Sequence, residues 1–222
     1  MTLLALIAAG LRDALTFWLP LACAGCDAPD VSLCDGCRAA LVPRPSRRHV
    51  EPSLPVVCGL RFEGIAARVI RAFKEEGRTA LARDLAPALA AALAASVPAG
   101  ARLTTVPSSP AAFRRRGYRP VDVLVRRAGR RPERLLRLRR SPEDQRGLGD
   151  RARRENVRGA FAARRPLDGA VVVVDDVVTT GATLAEAVRA LRAAGATDVR
   201  AVALAHTPRR SGSRDESEVI MT

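Results

Sequence analysis

Two adjacent carboxylates, Asp175 and Asp176, close the β-branched run Val171 to Val174, and Val177-Val178-Thr179-Thr180-Gly181-Ala182-Thr183 follows them. A strand that feeds a hydroxyl-rich turn and then a helix builds an anion site. Backbone amides from Thr179 to Ala182 and the hydroxyls of Thr179, Thr180 and Thr183 can surround a phosphate there, because the first helical amides lack partners and the helix dipole favours negative charge. Two carboxylates would repel a bare phosphate, but they suit a ligand that joins its phosphate to a diol, since carboxylates accept from ribose hydroxyls. No Lys precedes the threonines and there is no GxGxxG, so neither familiar glycine-rich signature applies. The stretch from Asp175 to Thr183 is therefore a candidate site for ribose 5-phosphate. Its bland alternative is a turn and a helix cap.

A second constellation lies near the N-terminus. Cys23-Ala-Gly-Cys26 and Cys34-Asp-Gly-Cys37 put four thiols in fifteen residues, with a glycine inside each pair where a knuckle must turn two sulfurs toward one centre. Structural Zn²⁺ on Cys23, Cys26, Cys34 and Cys37 is the expectation. A redox CxxC needs only one pair, and disulfides belong to oxidising compartments. Cys58, in Val56-Val57-Cys58, reads as a small buried hydrophobe.

The elements that must position these groups alternate between strand and helix patterns. Expected strands are 56–62, 102–106, 134–138, 157–162, 170–175 and 199–205. Expected helices are 64–75, 79–96, 110–128 and 182–194, and a further helix is expected over 1–19, ending at Pro20. Such alternation predicts an α/β fold with a largely parallel sheet flanked by helices, beside a small zinc-ribbon-like module. The expected division is 1–45 for the N-terminal helix and zinc module and 56–206 for the α/β domain. Residues 38–55, with four prolines, read as a linker, and 207–222 as a disordered tail.

At 222 residues, 48% hydrophobic and 27% charged, the chain can bury a substantial core, which excludes wholly disordered, collagenous and coiled-coil readings. Arg12 and Asp13 interrupt the apolar N-terminal stretch, and no basic segment precedes it. The expectation is a cytoplasmic protein with neither membrane span nor signal peptide. The net charge of +14 is concentrated: residues 111–165 hold nineteen Arg against six acidic residues. Arginine forks match phosphates, although a solvated basic face is the plain alternative. Lys74 is the single lysine of the chain.

Residues 171–183 resemble the 5-phosphoribosyl-1-pyrophosphate (PRPP) motif of type I phosphoribosyltransferases. In order along the chain, the zinc cysteines, Ile70-Arg71-Ala72-Phe73-Lys74, Val106-Pro107, Arg114-Arg115-Arg116-Gly117-Tyr118, Gln145 with Leu148, and Arg154 to Phe161 extend the likeness to the competence protein ComF family over nearly the whole chain. The chain differs from many members in having only four N-terminal cysteines and in Arg119, where Asn is frequent. The resemblance implies a type I phosphoribosyltransferase-like fold that takes PRPP with Mg²⁺. The acidic pair would contact the ribose hydroxyls and the threonine loop the 5′-phosphate.

A departing diphosphate develops negative charge, which makes Lys74 and Arg116, together with Asp175 and Asp176, the candidate catalytic groups, near a strand-end loop at Val106 to Ser109. Arg139, Arg140 and Arg146 lie in a segment that resembles, by position, a closing loop. Two functions stay open. One is a phosphoribosyltransferase, or an inactive relative, that binds Mg·PRPP; its acceptor is not legible, and Met1-Thr2 offers no glutaminase cysteine. The other is a non-catalytic DNA-uptake factor that binds single-stranded DNA or a competence helicase. The basic segment favours that role, and an aromatic content of 3% disfavours base stacking. The oligomeric state is not legible.

Overall fold

The β-branched run becomes the middle of a sheet because Val171 to Val174 are buried on both faces, the environment of a parallel strand covered by helices on each side. The computed structural model describes residues 21–140, 155–208 and 218–219. The expected helix at 1–19, Arg146 and most of 207–222 lie outside these residues.

In chain order the elements are α1 (Asp35–Ala39), β1 (Ser46–Glu51), β2 (Leu54–Arg61), α2 (Gly64–Glu75), a 3₁₀ turn (Thr79–Leu81), α3 (Ala82–Ala94) and β3 (Arg102–Thr105). Then follow α4 (Pro110–Arg116), α5 (Pro120–Arg127), β4 (Leu136–Leu138), β5 (Phe161–Ala163), β6 (Ala170–Val178), α6 (Ala182–Arg192), β7 (Asp198–His206) and β8 (Glu218–Val219). One sheet has the order β3-β6-β7-β2-β1-β8, and β4 pairs with β5 in a separate ribbon. The pairs β3–β6, β6–β7 and β7–β2 are parallel; β2–β1 and β1–β8 are antiparallel. A mostly parallel sheet flanked by helices is the expected class.

Alternation along β6 divides the core in two. Val172 and Val174 face α2, α3 and α5 through Ile70, Phe73, Leu85, Leu89 and Leu124. Val171 and Val173 face α6 through Leu184, Val188 and Leu191, with Phe161 and Cys58 in the same cluster. Burial pushes the Cys58 thiol up to about 12, so it is an inert hydrophobe.

Two local expectations are corrected. The proline-rich stretch read as a linker contains β1. Its prolines spare the ladder: Pro43 and Pro45 precede the strand, Pro52 lies in the hairpin turn, and Pro55 pairs with His49 before β2 reaches β7 at Val56. The single helix expected over 110–128 is two. Ser109 caps α4, its side chain accepting from the Ala112 amide at 3.1 Å, and Gly117, at φ +75°, ends it; Pro120 then opens α5.

Candidate functional site

Because β3 leads through α4 to α5 on one face and β6 to α6 on the other, their chain exits diverge and leave a crevice at the C-terminal edge of the sheet, where ligands of open α/β sheets bind. The cleft there measures about 660 Å³. Asp175, Asp176, Val177, Thr179, Thr180, Ala182, Thr183, Lys74 and Arg116 all line it. Val178 and Gly181 do not. Val178 is buried, and its carbonyl accepts from the Thr207 amide and hydroxyl, each at 2.9 Å.

The acidic pair folds onto its own backbone. The Asp176 amide donates to Asp175 Oδ1 at 2.8 Å and the Val177 amide to Asp176 Oδ1 at 2.7 Å. Lys74, in the last turn of α2, places Nζ 2.6 Å from Asp176 Oδ2. Burial opposes the lysine charge, but the Asp176 charge and hydrogen bond outweigh it and hold the Lys74 pKa above its ordinary value, so it stays a cation. For Asp175 burial acts first and the Asp176 charge second, and against the opposing pull of Lys74 they push the carboxyl up to about 7. The cleft floor therefore holds two carboxyl groups, one of them, Asp175, raised to about 7, beside one fixed cation.

Arg116 reaches the same cleft from the end of α4, with its Nε buried and without a hydrogen-bond partner among the described residues. Tyr118, two residues on, donates its hydroxyl to the Phe73 carbonyl, one of the carbonyls left over at the end of α2. That bond ties the turn carrying Arg116 to the turn carrying Lys74. At the other end of the cleft, Gly181 has φ +78°, and a Cβ there would fall 2.1 Å from Val50 Cγ1. Only glycine fits where β1 presses on the threonine loop. Arg48 of β1 donates to the carbonyls of Thr207 and, at 3.4 Å, Thr179. The strand hidden in the proline-rich stretch thus braces the threonine loop.

The sequence reading also missed Glu186. It is buried on α6, accepts from the Gly159 amide at 2.8 Å and pairs twice with Arg189 at 2.7 Å, fixing the segment that brings Asn156, Val157 and Phe161 to the cleft. The available signal was an acid on the apolar side of the helix, between Leu184 and Val188. Of the arginines expected to close over the site, neither Arg139 nor Arg140 lines the cleft; Arg140 donates to the Arg158 carbonyl at 2.7 Å.

The four N-terminal cysteines converge, with all sulfurs within 4.8 Å of one another. Cys26 and Cys34 sulfurs are 3.7 Å apart, close to the ~3.8 Å edge of a tetrahedron with Zn–S bonds of about 2.3 Å. The amides of Gly25 and Cys34 donate to Cys23 Sγ, each at 3.4 Å. Burial resists ionisation of Cys23, but these backbone donors prevail and lower its pKa to about 6, whereas burial and the neighbouring sulfurs push the Cys37 thiol up. A Cβ on Gly25 would meet Cys37 Sγ at 2.5 Å. These residues fit one zinc ion. The cluster is held against the α/β core by Arg38 with Asp84 at 2.9 Å, by Arg68 of α2 with Asp27, and by Arg78, which donates to the carbonyls of Ala22 and Ser32, each at 2.8 Å.

Residues 116–222 match the phosphoribosyl transferase domain family. The DNA utilization protein YhgH of Escherichia coli O157:H7 is 42% identical over 69 residues, which is 31% of this chain and 30% of that protein. A solved structure of the allosteric regulatory enzyme of purine biosynthesis aligns with a TM-score of 0.34 and 25% identity over 55% of this chain and 25% of that one. The mostly parallel sheet flanked by helices and the match over residues 116–222 make this part of the chain similar to a phosphoribosyl transferase domain. The N-terminal cysteine cluster and the partial likeness to YhgH support a similarity to ComF-type proteins.

Proposed function

We propose that the chain binds Mg·PRPP in the cleft at the end of β6. One observation carries this reading: a cation–carboxylate floor, Lys74 on Asp176, adjoins a threonine loop at a helix N-terminus within one crevice. Thr179, Thr180, Thr183 and the amides up to Ala182 take the 5′-phosphate, and Asp175 and Asp176 accept from the ribose hydroxyls. Arg116, whose Nε lacks a partner among the described residues, and the Val106 to Ser109 loop take the diphosphate. Lys74, held on Asp176, joins Arg116 in taking the diphosphate. Mg²⁺, when bound, offsets the charge of the diphosphate. In catalysis these fixed charges favour diphosphate departure and transfer of the ribosyl phosphate.

Zinc on Cys23, Cys26, Cys34 and Cys37 holds together an N-terminal module, 1–45, beside a domain of 56–206, in a cytoplasmic protein. Calorimetric titration of Mg·PRPP tests the ligand. The wild type binds, and the Asp175→Asn/Asp176→Asn variant, folded by circular dichroism, does not; a folded wild type that takes up no PRPP refutes the reading.

A second reading rests on exposed arginines. Arg114, Arg115, Arg126, Arg127, Arg130 and Arg131 all reach solvent around α4 and α5, beside Phe113, which is 41% exposed. This face suits the phosphates of single-stranded DNA in DNA uptake or use, directly or beside a helicase, and a DNA-utilization relative is in keeping with it.

A further inference from the structure

We infer that Tyr118 is a positioning residue for the diphosphate: its hydroxyl, anchored on the Phe73 carbonyl, holds the Arg116 guanidinium and the Lys74 ammonium together as one anion clamp. The inference rests on the PRPP reading above. It concerns a residue that does not itself line the cleft and so acts through its neighbours. Arg116 is the last residue of α4 and Lys74 lies in the last turn of α2, so the two cations arrive on separate helices. Lys74 is paired with Asp176 at 2.6 Å, whereas Arg116 has no ion pair, and its buried Nε no hydrogen-bond partner, among the described residues. The cations also act on one another. Burial weighs most against the Lys74 charge and the Asp176 charge offsets it, with Arg116 adding to the downward pull. Two like charges that repel across a cleft stay together only if the backbones carrying them are tied.

The tie is built from a turn, a ring and a hydroxyl. Gly117 ends α4 at φ +75°, its amide donating to the Phe113 carbonyl at 2.8 Å, and this left-handed turn redirects the chain from Arg116 into Tyr118. The Tyr118 ring then packs on Phe73, with centroids 6.0 Å apart and planes tilted by 58°. Phe73 is 1% exposed, so that platform is fixed in the core. The hydroxyl donates to the Phe73 carbonyl, which adjoins Lys74 in the chain as Tyr118 stands two residues from Arg116. Burial raises the Tyr118 pKa above its ordinary value, against a weaker opposing pull from Arg116, so the phenol keeps its proton and remains a donor at neutral pH. One hydrogen bond thus joins the two backbones within two residues of each cation. A shift of about 1 Å in a positioned group can cost up to ~100-fold. Losing this bond while the ring stays packed is expected to cost about tenfold.

The test is Tyr118→Phe in the full chain, which removes the hydroxyl and keeps the ring. Calorimetry with inorganic diphosphate plus Mg²⁺, and separately with ribose 5-phosphate, divides the site into its two halves. Diphosphate affinity should fall about tenfold, while ribose 5-phosphate affinity, whose assigned contacts lie on β6 and α6, should stay within about twofold. A role in general stability would weaken both alike. Arg116→Ala supplies a second measure, read with Mg·PRPP. If Tyr118 acts through the clamp, adding Tyr118→Phe to Arg116→Ala should weaken binding further by no more than about threefold, short of the product of the two single losses. Unchanged diphosphate affinity in Tyr118→Phe, equal losses for the two probes, a full further tenfold loss in the double variant, or a Tyr118→Phe chain that fails to fold each overturns the inference and leaves the PRPP reading standing. A folded wild type that binds neither Mg·PRPP nor diphosphate overturns both.

Discussion

Asp175 contributes opposite things to stability and to binding. Its carboxyl titrates near 7 in the folded protein against 3.8 ordinarily, so between those values the folded state holds a proton that the unfolded chain has lost. Stability from this group is full below about pH 4, falls as pH rises through 7, and stays low above. Because the side chain is partly open to solvent, the cost above pH 7 is discounted to ~1–2 kcal/mol, or roughly 2–8 °C in a chain of this size. Asp175→Asn should therefore melt higher than wild type at about pH 8 and alike near pH 4, while losing Mg·PRPP binding. Thermal melts at the two pH values check the first half and calorimetry the second. At Gly25 a smaller change has a larger effect. Gly25→Ala drives a methyl into Cys37 Sγ, and metal analysis should find the protein depleted of zinc.

The contact between β2 and α3 depends on one missing side chain. A Cβ on Gly59 would lie 2.2 Å from the Ala88 carbonyl oxygen, so Gly59→Ala forces the helix off the sheet. Leu85 and Leu89 are fully buried on the same helix, and their displacement makes the expected loss about 1–3 kcal/mol by denaturant unfolding. Gly36→Ala is the matched control. It sits within α1 with nothing inside 4 Å of the added methyl, and should be neutral or more stable by up to ~1 kcal/mol. A large loss at Gly36 would mean that glycine count rather than close packing limits stability.

Helix α2 joins the two ends of the molecule, with Arg68 on Asp27 of the cysteine module and Lys74 on Asp176 of the cleft. Losing the metal should therefore be felt at the cleft. Cys26→Ser is expected to lower the melting temperature and to weaken Mg·PRPP binding even with Mg²⁺ in excess; unchanged affinity would show the module to be energetically separate. The charge distribution acts over the same distances. If the arginine face around α4 and α5 takes single-stranded DNA, log affinity against log salt should fall with a slope of roughly −0.7 per phosphate contacted, with little sequence preference. Salt-independent binding would exclude that face.

Much of the candidate site could be read from residue order, because its parts are contiguous. Strand β6, the acidic pair, the threonine turn and α6 form one local unit, and the β-branched run, glycine and apolar periodicity each declare themselves within a few residues. The cysteine pairs are equally local. Strand β1 was not legible, since its prolines signal a loop and only pairing with β2 makes Ser46–Glu51 a strand. Nor were the Tyr118 bond to Phe73, the Glu186 bond to Gly159, or Phe62 beside Arg71 in the cleft. Composition, class and the acidic-pair and threonine motif belong to the chain as written, being set by side-chain type and short-range periodicity. Which strand flanks β6 on each side, and so which residues face one another across the crevice, was settled by burial summed over contacts distant in sequence, which local patterns do not encode.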